Sequence, residues 1–102
     1  MEATIKVGDI LYGMWHYSMH YPVWFRVTKI TEKRAEAERL CSCGGGQQGY
    51  EWPNLNRVAE SRKHYIKVNA KNGRLETGSW KRYDHYFLEK WDNQPIWADH
   101  MD

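Results

Sequence analysis

The sequence predicts a mainly-β fold, a small SH3-like or partly open barrel of about five to six strands with room for one short helix. Three observations carry that expectation. Lys63 to Arg82 reads as a hairpin around Asn72-Gly73, because both central residues of a two-residue type I′ turn need positive φ. Val23-Trp24-Phe25-Arg26-Val27-Thr28-Lys29-Ile30 is dense in β-branched and aromatic residues, which pack well on a pleated surface. The other apolar runs are short and separated by Gly, Pro, Asn and Asp, the punctuation of turns.

The 102 residues suffice for a single domain, 1–102, with one modest core. With 6 Trp and 7 Tyr and a low mean hydropathy, core volume must come from large rings. Trp is rarely buried whole, so one or two rings should stay partly exposed.

In order, Met1 to Thr4 is a lead-in followed by Ile5-Lys6-Val7, and the Gly8-Asp9 turn leads into a short apolar strand, Ile10-Leu11-Tyr12. Gly13 to Pro22 shows no clear period, and Pro22 disfavours helix at Tyr21, which predicts a loop. Val23 to Ile30 should be the central strand. Thr31 to Leu40 has a helix-like composition, yet Ala35 and Ala37 alternate and no three-and-four apolar stripe recurs. A hairpin turning at Glu32-Lys33 would set Lys29 opposite Glu36 as a favourable charge pair, so a strand is favoured.

Cys41 to Gly49 reads as a flexible loop around Gly44-Gly45-Gly46. It lacks the Lys-Ser/Thr pair of a phosphate-binding loop. Tyr50 to Ser61 is expected to be mostly irregular, with Leu55 and Val58 anchoring a helical turn. Tyr86 to Trp91 reads as a strand with Tyr86 and Leu88 on one face, Asp92 to Pro95 as a turn, and Ile96-Trp97 as a short edge strand that Pro95 can begin. Asp99 to Asp102 should fray.

The net charge of +2 hides an uneven distribution. Residues 57–82 hold eight basic side chains against Glu60 and Glu76, whereas the segment from Tyr83 holds five acidic ones against Lys90. Such a dipole can steer an acidic partner toward the middle of the chain; the plainer reading is that hairpin and tail neutralise each other. In a two-residue-turn hairpin, Val68 faces Thr77, Ile66 faces Ser79 and Tyr65 faces Trp80. One face then carries Ile66, Val68, Ala70 and Leu75. The other carries Lys63, Tyr65, Lys67, Lys71, Arg74, Trp80 and Arg82, interrupted by Asn69, Glu76 and Gly78. Clustered cations suit phosphate and exposed rings suit base stacking, so this face is the candidate site for nucleic acid or another partner. Ordinary solvated sheet chemistry, with edge lysines and a cross-strand ring pair, accounts for the same residues.

Metal and catalytic readings fare worse. His16 and His20 are spaced i, i+4, but need a helix to converge, and Cys41-x-Cys43 is tighter than the usual zinc spacing. No cofactor or metal is expected. Nucleophilic or acid–base catalysis needs a base beside its nucleophile and an orienting third group. Asp84 beside His85 does not supply that, because neighbours on a strand point to opposite faces. An enzyme is therefore not expected. No apolar run approaches the ~20 residues of a membrane span, and no signal-peptide core opens the chain. The expected location is the cytoplasm, with Cys41 and Cys43 as free thiols.

Gly8-Asp9-Ile10-Leu11-Tyr12, Trp15-His16-Tyr17 and Trp24-Phe25-Arg26-Val27 resemble a pattern in small, largely uncharacterised proteins of bacteriophages and mobile elements. Trp91-Asp92-Asn93-Gln94-Pro95-Ile96-Trp97 is similar to the Trp-Asp-Gly-Lys-Pro close of that group. The likeness covers the two ends, and this chain departs from it at Asn93-Gln94 and in the Gly-rich loop. It implies a phage-type accessory protein of the host cytoplasm and brings no chemistry with it. The expectation is a non-enzymatic binding protein that engages nucleic acid, or a nucleic-acid-bearing complex, through the basic hairpin. The alternative is an inhibitor of a host protein, such as a defence component, acting by direct contact.

Overall fold

A computed structural model describes residues 5–16, 19–69, 71–82 and 84–101, with only the backbone of Trp80. The lead-in Met1 to Thr4, Ala70 and Asp102 lie outside the described residues. Eight strands follow one another: β1 (Ile10–Trp15), β2 (Tyr21–Ile30), β3 (Ala35–Gly44), β4 (Gln48–Val58), β5 (His64–Val68), β6 (Leu75–Thr77), β7 (Tyr86–Lys90) and β8 (Ile96–Asp99). Every pairing is antiparallel. The order β2-β1-β7-β6-β5-β3 closes on itself through β2–β3, making a six-stranded barrel, and β4 and β8 extend the sheet beyond β3. The barrel is thus closed rather than partly open. Closure removes edges that would otherwise template association.

The alternation of β2 explains its central place. Val23, Phe25 and Val27 point inward to meet Leu11, Ala35, Ala37, Ile66 and Leu88 in one buried cluster. Trp24 is also fully buried, on the outer face, where its Nε1 donates to Ser42 Oγ at 2.7 Å and its ring meets Trp91 edge-on at 5.5 Å. Arg26, the next outward residue, pairs with Glu38 at 2.5 Å and donates to the Leu55 carbonyl at 2.9 Å.

The β2–β3 hairpin turns at Glu32-Lys33 and sets Lys29 opposite Glu36, as the charge pattern predicts. The β5–β6 hairpin differs from expectation in its turn. Asn69 and Arg74 close a four-residue loop, with the Asn69 N–H donated to the Arg74 carbonyl at 2.8 Å. Asn69 and Asn72 each accept an N–H from two residues on, at 2.8 and 2.9 Å, so their side chains stabilise the longer loop. Gly73 takes φ 70° while Asn72 does not enter the left-handed region, which rules out type I′. Consequently Ile66 faces Thr77 and Val68 faces Leu75. The slip is by two residues, and a two-residue slip preserves which face each side chain takes. Ile66 is buried, but Val68 is 38% exposed.

Other segments also depart from expectation. The Gly8-Asp9 turn is not one of them: Gly8 takes φ 95°, the Asp9 N–H is donated to the Lys6 carbonyl at 3.0 Å, and β1 follows at Ile10. Gly13 to Pro22 is not a loop throughout, because β1 and β2 pair out to Trp15 and Tyr21, whose rings stack at 6.1 Å. The loop expected over Cys41–Gly49 is a tight connection: Cys41 to Gly44 continue β3, and three consecutive glycines at positive φ make the reversal. Tyr50 to Val58 is strand, with no helical turn at Leu55. A register shift opposite Leu40 and Ser42 bulges the Asn54–Arg57 stretch, which hides its alternation from a sequence reading. A 3-10 turn stands instead at Trp80–Arg82, where the sequence predicts the second strand of the hairpin. Asp99 is not frayed, since it exchanges two backbone bonds with His20 at 2.8 and 2.6 Å.

Candidate nucleic-acid interface

The site is assembled around β5 from the β2–β3 tip and the β6–β7 connection, with Arg62 and Lys63 entering just before β5. At the β2–β3 tip, Thr31 fixes Arg34 in place. The Thr31 N–H and Oγ1–H both donate to the Arg34 carbonyl at 2.9 Å, and the Arg34 N–H donates back to Oγ1 at 3.3 Å. The Arg34 guanidinium carbon then lies 4.0 Å from the centre of the Tyr65 ring. Tyr65 and Lys67 point outward from β5 while Ile66 points in. Thr77 is buried beneath them, its hydroxyl donated to the Tyr65 carbonyl at 2.8 Å.

On the far side, Gly78 ends β6 at φ 78°, and the chain turns through the 3-10 segment. Asp84 ties that turn down, accepting the Ser79 N–H at 2.7 Å and approaching Arg82 at 3.4 Å and Arg62 at 3.7 Å. Burial raises the Asp84 carboxyl, but the Ser79 N–H and the two guanidinium groups outweigh it and hold it below its ordinary range.

Between these walls lies a groove of about 520 Å³ lined by Arg34, Arg62, Lys63, Lys67 and Arg82, with Asp84 as the lining carboxylate. A second depression of about 340 Å³ shares Tyr65, Lys67, Thr77 and Gly78 with it and adds Lys81. Lys63 pairs with Glu36 at 3.2 Å. Among the described residues, Arg34, Lys67 and Lys81 have no carboxylate within ion-pairing distance. Glu76, opposite Lys67, is instead held by His85 at 2.9 Å and Asn69 at 2.5 Å, and these bonds lower its pKa.

Of the residues predicted from sequence, the fold brings Lys63, Tyr65, Lys67 and Arg82 to this groove. Arg74 is elsewhere: its guanidinium sits 4.1 Å over Phe87 and lines a cleft with Tyr12, Met14 and Glu89. Lys71 is exposed in the β5–β6 loop and lines neither depression. Trp80 is on the 3-10 turn rather than opposite Tyr65, and its side chain lies outside the description. Arg34 was missed as a site residue because only the long-range β3–β5 pairing brings it there. Arg62 and Lys81 stand in the basic segment that the charge count marks.

The remaining candidates have structural partners. His16 and His20 meet edge-on at 4.7 Å between β1 and β2. Among the described residues no three of His, Cys, Asp and Glu converge as a metal site would require. Asp84 and His85 diverge, one to Ser79 and the other to Glu76. Outside the barrel, Tyr50 and Trp97 face each other across β4 and β8 with rings 5.3 Å apart, and they are 58% and 53% exposed. Trp52 beside them is 44% exposed. No protein-family model, curated protein or solved structure matches the chain.

Proposed function

We propose that the chain is a binding protein without catalysis, which takes nucleic acid by its phosphates along the Tyr65 groove. The observation that carries this reading is the convergence of Arg34, Arg62, Lys63, Lys67 and Arg82 on one concave surface, where Asp84, Glu36 and Glu60 pair Arg62, Lys63 and Arg82 but, among the described residues, no carboxylate pairs Arg34 or Lys67. Polyphosphate chains reward such a surface by releasing condensed counterions. A phage-type accessory role in a host cytoplasm is part of the same proposal. Titration with oligonucleotides at about 50 and 200 mM salt tests the reading, because phosphate binding weakens steeply over that range. Absence of binding at the lower salt would sink it.

The exposed Tyr50, Trp52 and Trp97 favour a second reading, direct contact with a host protein, since Trp and Tyr dominate interface hot spots. In that case a Trp97→Ala variant would lose a partner retained from host lysate. On the first reading, the same variant binds oligonucleotides as the wild type does.

A further inference from the structure

Charge alone does not explain the arrangement of Arg34. Arg62 and Arg82 rest against Asp84. Arg34 rests on a ring, at 4.0 Å from the Tyr65 centre, and among the described residues it has no carboxylate partner. The residue is exposed and lines the groove. Its backbone is pinned by the three Thr31 bonds, which fixes where the side chain leaves the hairpin tip, and the Tyr65 ring is the contact of the guanidinium itself.

A planar cation supported on an aromatic ring is a surface on which an unstacked base can lie. In a duplex the base faces are already covered by their neighbours, so only an unpaired strand can offer one. Lys63, Lys67 and Arg82 stand in the same groove, where the phosphates flanking that base would run. We propose that Arg34 seated on Tyr65 is a base-stacking platform and that the ligand of the groove is a single-stranded nucleic acid. This inference rests on the nucleic-acid reading above and adds strandedness and a stacking residue to it.

The test compares single-stranded DNA, single-stranded RNA and duplex DNA of one length and sequence, each at two salt concentrations, with the wild type and with Arg34→Lys. Lysine keeps the charge and removes the plane. The expected result is preference for a single strand, narrowed by about tenfold in Arg34→Lys because single-strand affinity falls more than duplex affinity, with the salt slope kept because the charge is kept. Tyr65→Leu, which removes the supporting ring, should act in the same direction. The two single-stranded arms show whether the ribose hydroxyl matters. Equal affinity for duplex and single strand, or an Arg34→Lys variant that binds the strand like wild type, would overturn the inference and leave a phosphate-binding groove standing. No salt-dependent binding to any of the three would overturn the nucleic-acid reading and this inference together.

Discussion

Glu36 and Tyr65 stand opposite each other across β3 and β5, and that pairing carries Arg34, two residues before Glu36, onto the Tyr65 ring. The groove is therefore a product of barrel closure. A hairpin alone would present Lys63, Tyr65 and Lys67 on a flat ribbon. The β2–β3 tip and the 3-10 turn give that ribbon its two walls.

The wall formed by the 3-10 turn depends on Gly78. At φ 78° with the Asp84 carbonyl against it, a Cβ would meet both backbone strain and a collision with main chain. Gly78→Ala should destabilise by about 3 kcal/mol or more, combining left-handed strain with overpacking. Gly73 has a similar φ of 70° but nothing within 4 Å of its missing Cβ, so Gly73→Ala should lose only about 1–2 kcal/mol. Thermal melts of the two variants check this. Equal shifts in midpoint would contradict the account of the wall.

Burial on both faces of β2 makes Trp24 the largest fully enclosed side chain. Trp24→Ala should lose about 3–5 kcal/mol, a large part of the 5–15 kcal/mol typical of a domain. Trp24→Phe should lose less, keeping most of the ring while leaving Ser42 without its 2.7 Å donor. Urea midpoints followed by circular dichroism give the ranking. A tolerated alanine would mean that the outer face of β2 is not packed as described.

Stability should fall in two steps on acidification. Desolvation holds the pKa of His64 below its ordinary 6.5, only partly offset by the bond to Glu60. The unfolded chain thus takes up a proton there before the folded one does, and stability declines as pH falls below 6.5 until the folded His64 also titrates. Glu76 is shifted down from 4.5 by its bonds to His85 and Asn69, and Asp84 is shifted down from 3.8. Their contributions are present above those ordinary values and are lost as pH falls through the depressed ones. Urea midpoints measured against pH should show both limbs, with the upper one flattened in His64→Gln and the lower one in Glu76→Gln. An upper limb unchanged in His64→Gln would show that burial of this ring is not its source.

Much of the fold was legible because local chemistry agreed with the final structure. The alternation in β2, the Lys29–Glu36 pair and the turn at Glu32-Lys33 are all sequence-local. The inward Ile66 and outward Tyr65 and Lys67 kept their sides because a slip of two keeps parity, but the charged face as expected did not hold together, since Lys71, Arg74 and the 3-10 turn at Trp80 lie away from Tyr65. What stayed hidden was set at a distance or by irregularity. The bulge in β4 erased its alternation, and Asn69 competed with Asn72-Gly73 for the turn. Arg34 could be joined to Tyr65 only by a pairing between residues that no local pattern connects. Arg74 looked equivalent to Lys67 in sequence, and only the longer turn sends it to Phe87 instead.

That divergence of Lys67 and Arg74 gives the most direct test of the central claim. Oligonucleotide affinity is measured at two salt concentrations for the wild type, Lys67→Glu and Arg74→Glu, which make the same charge change on two sides of one hairpin. The account predicts that Lys67→Glu weakens binding by about tenfold and lowers the salt slope by about 1, while Arg74→Glu stays close to wild type. Equal losses from the two variants, or an unaffected Lys67→Glu, would show that the Tyr65 groove is not where the partner binds.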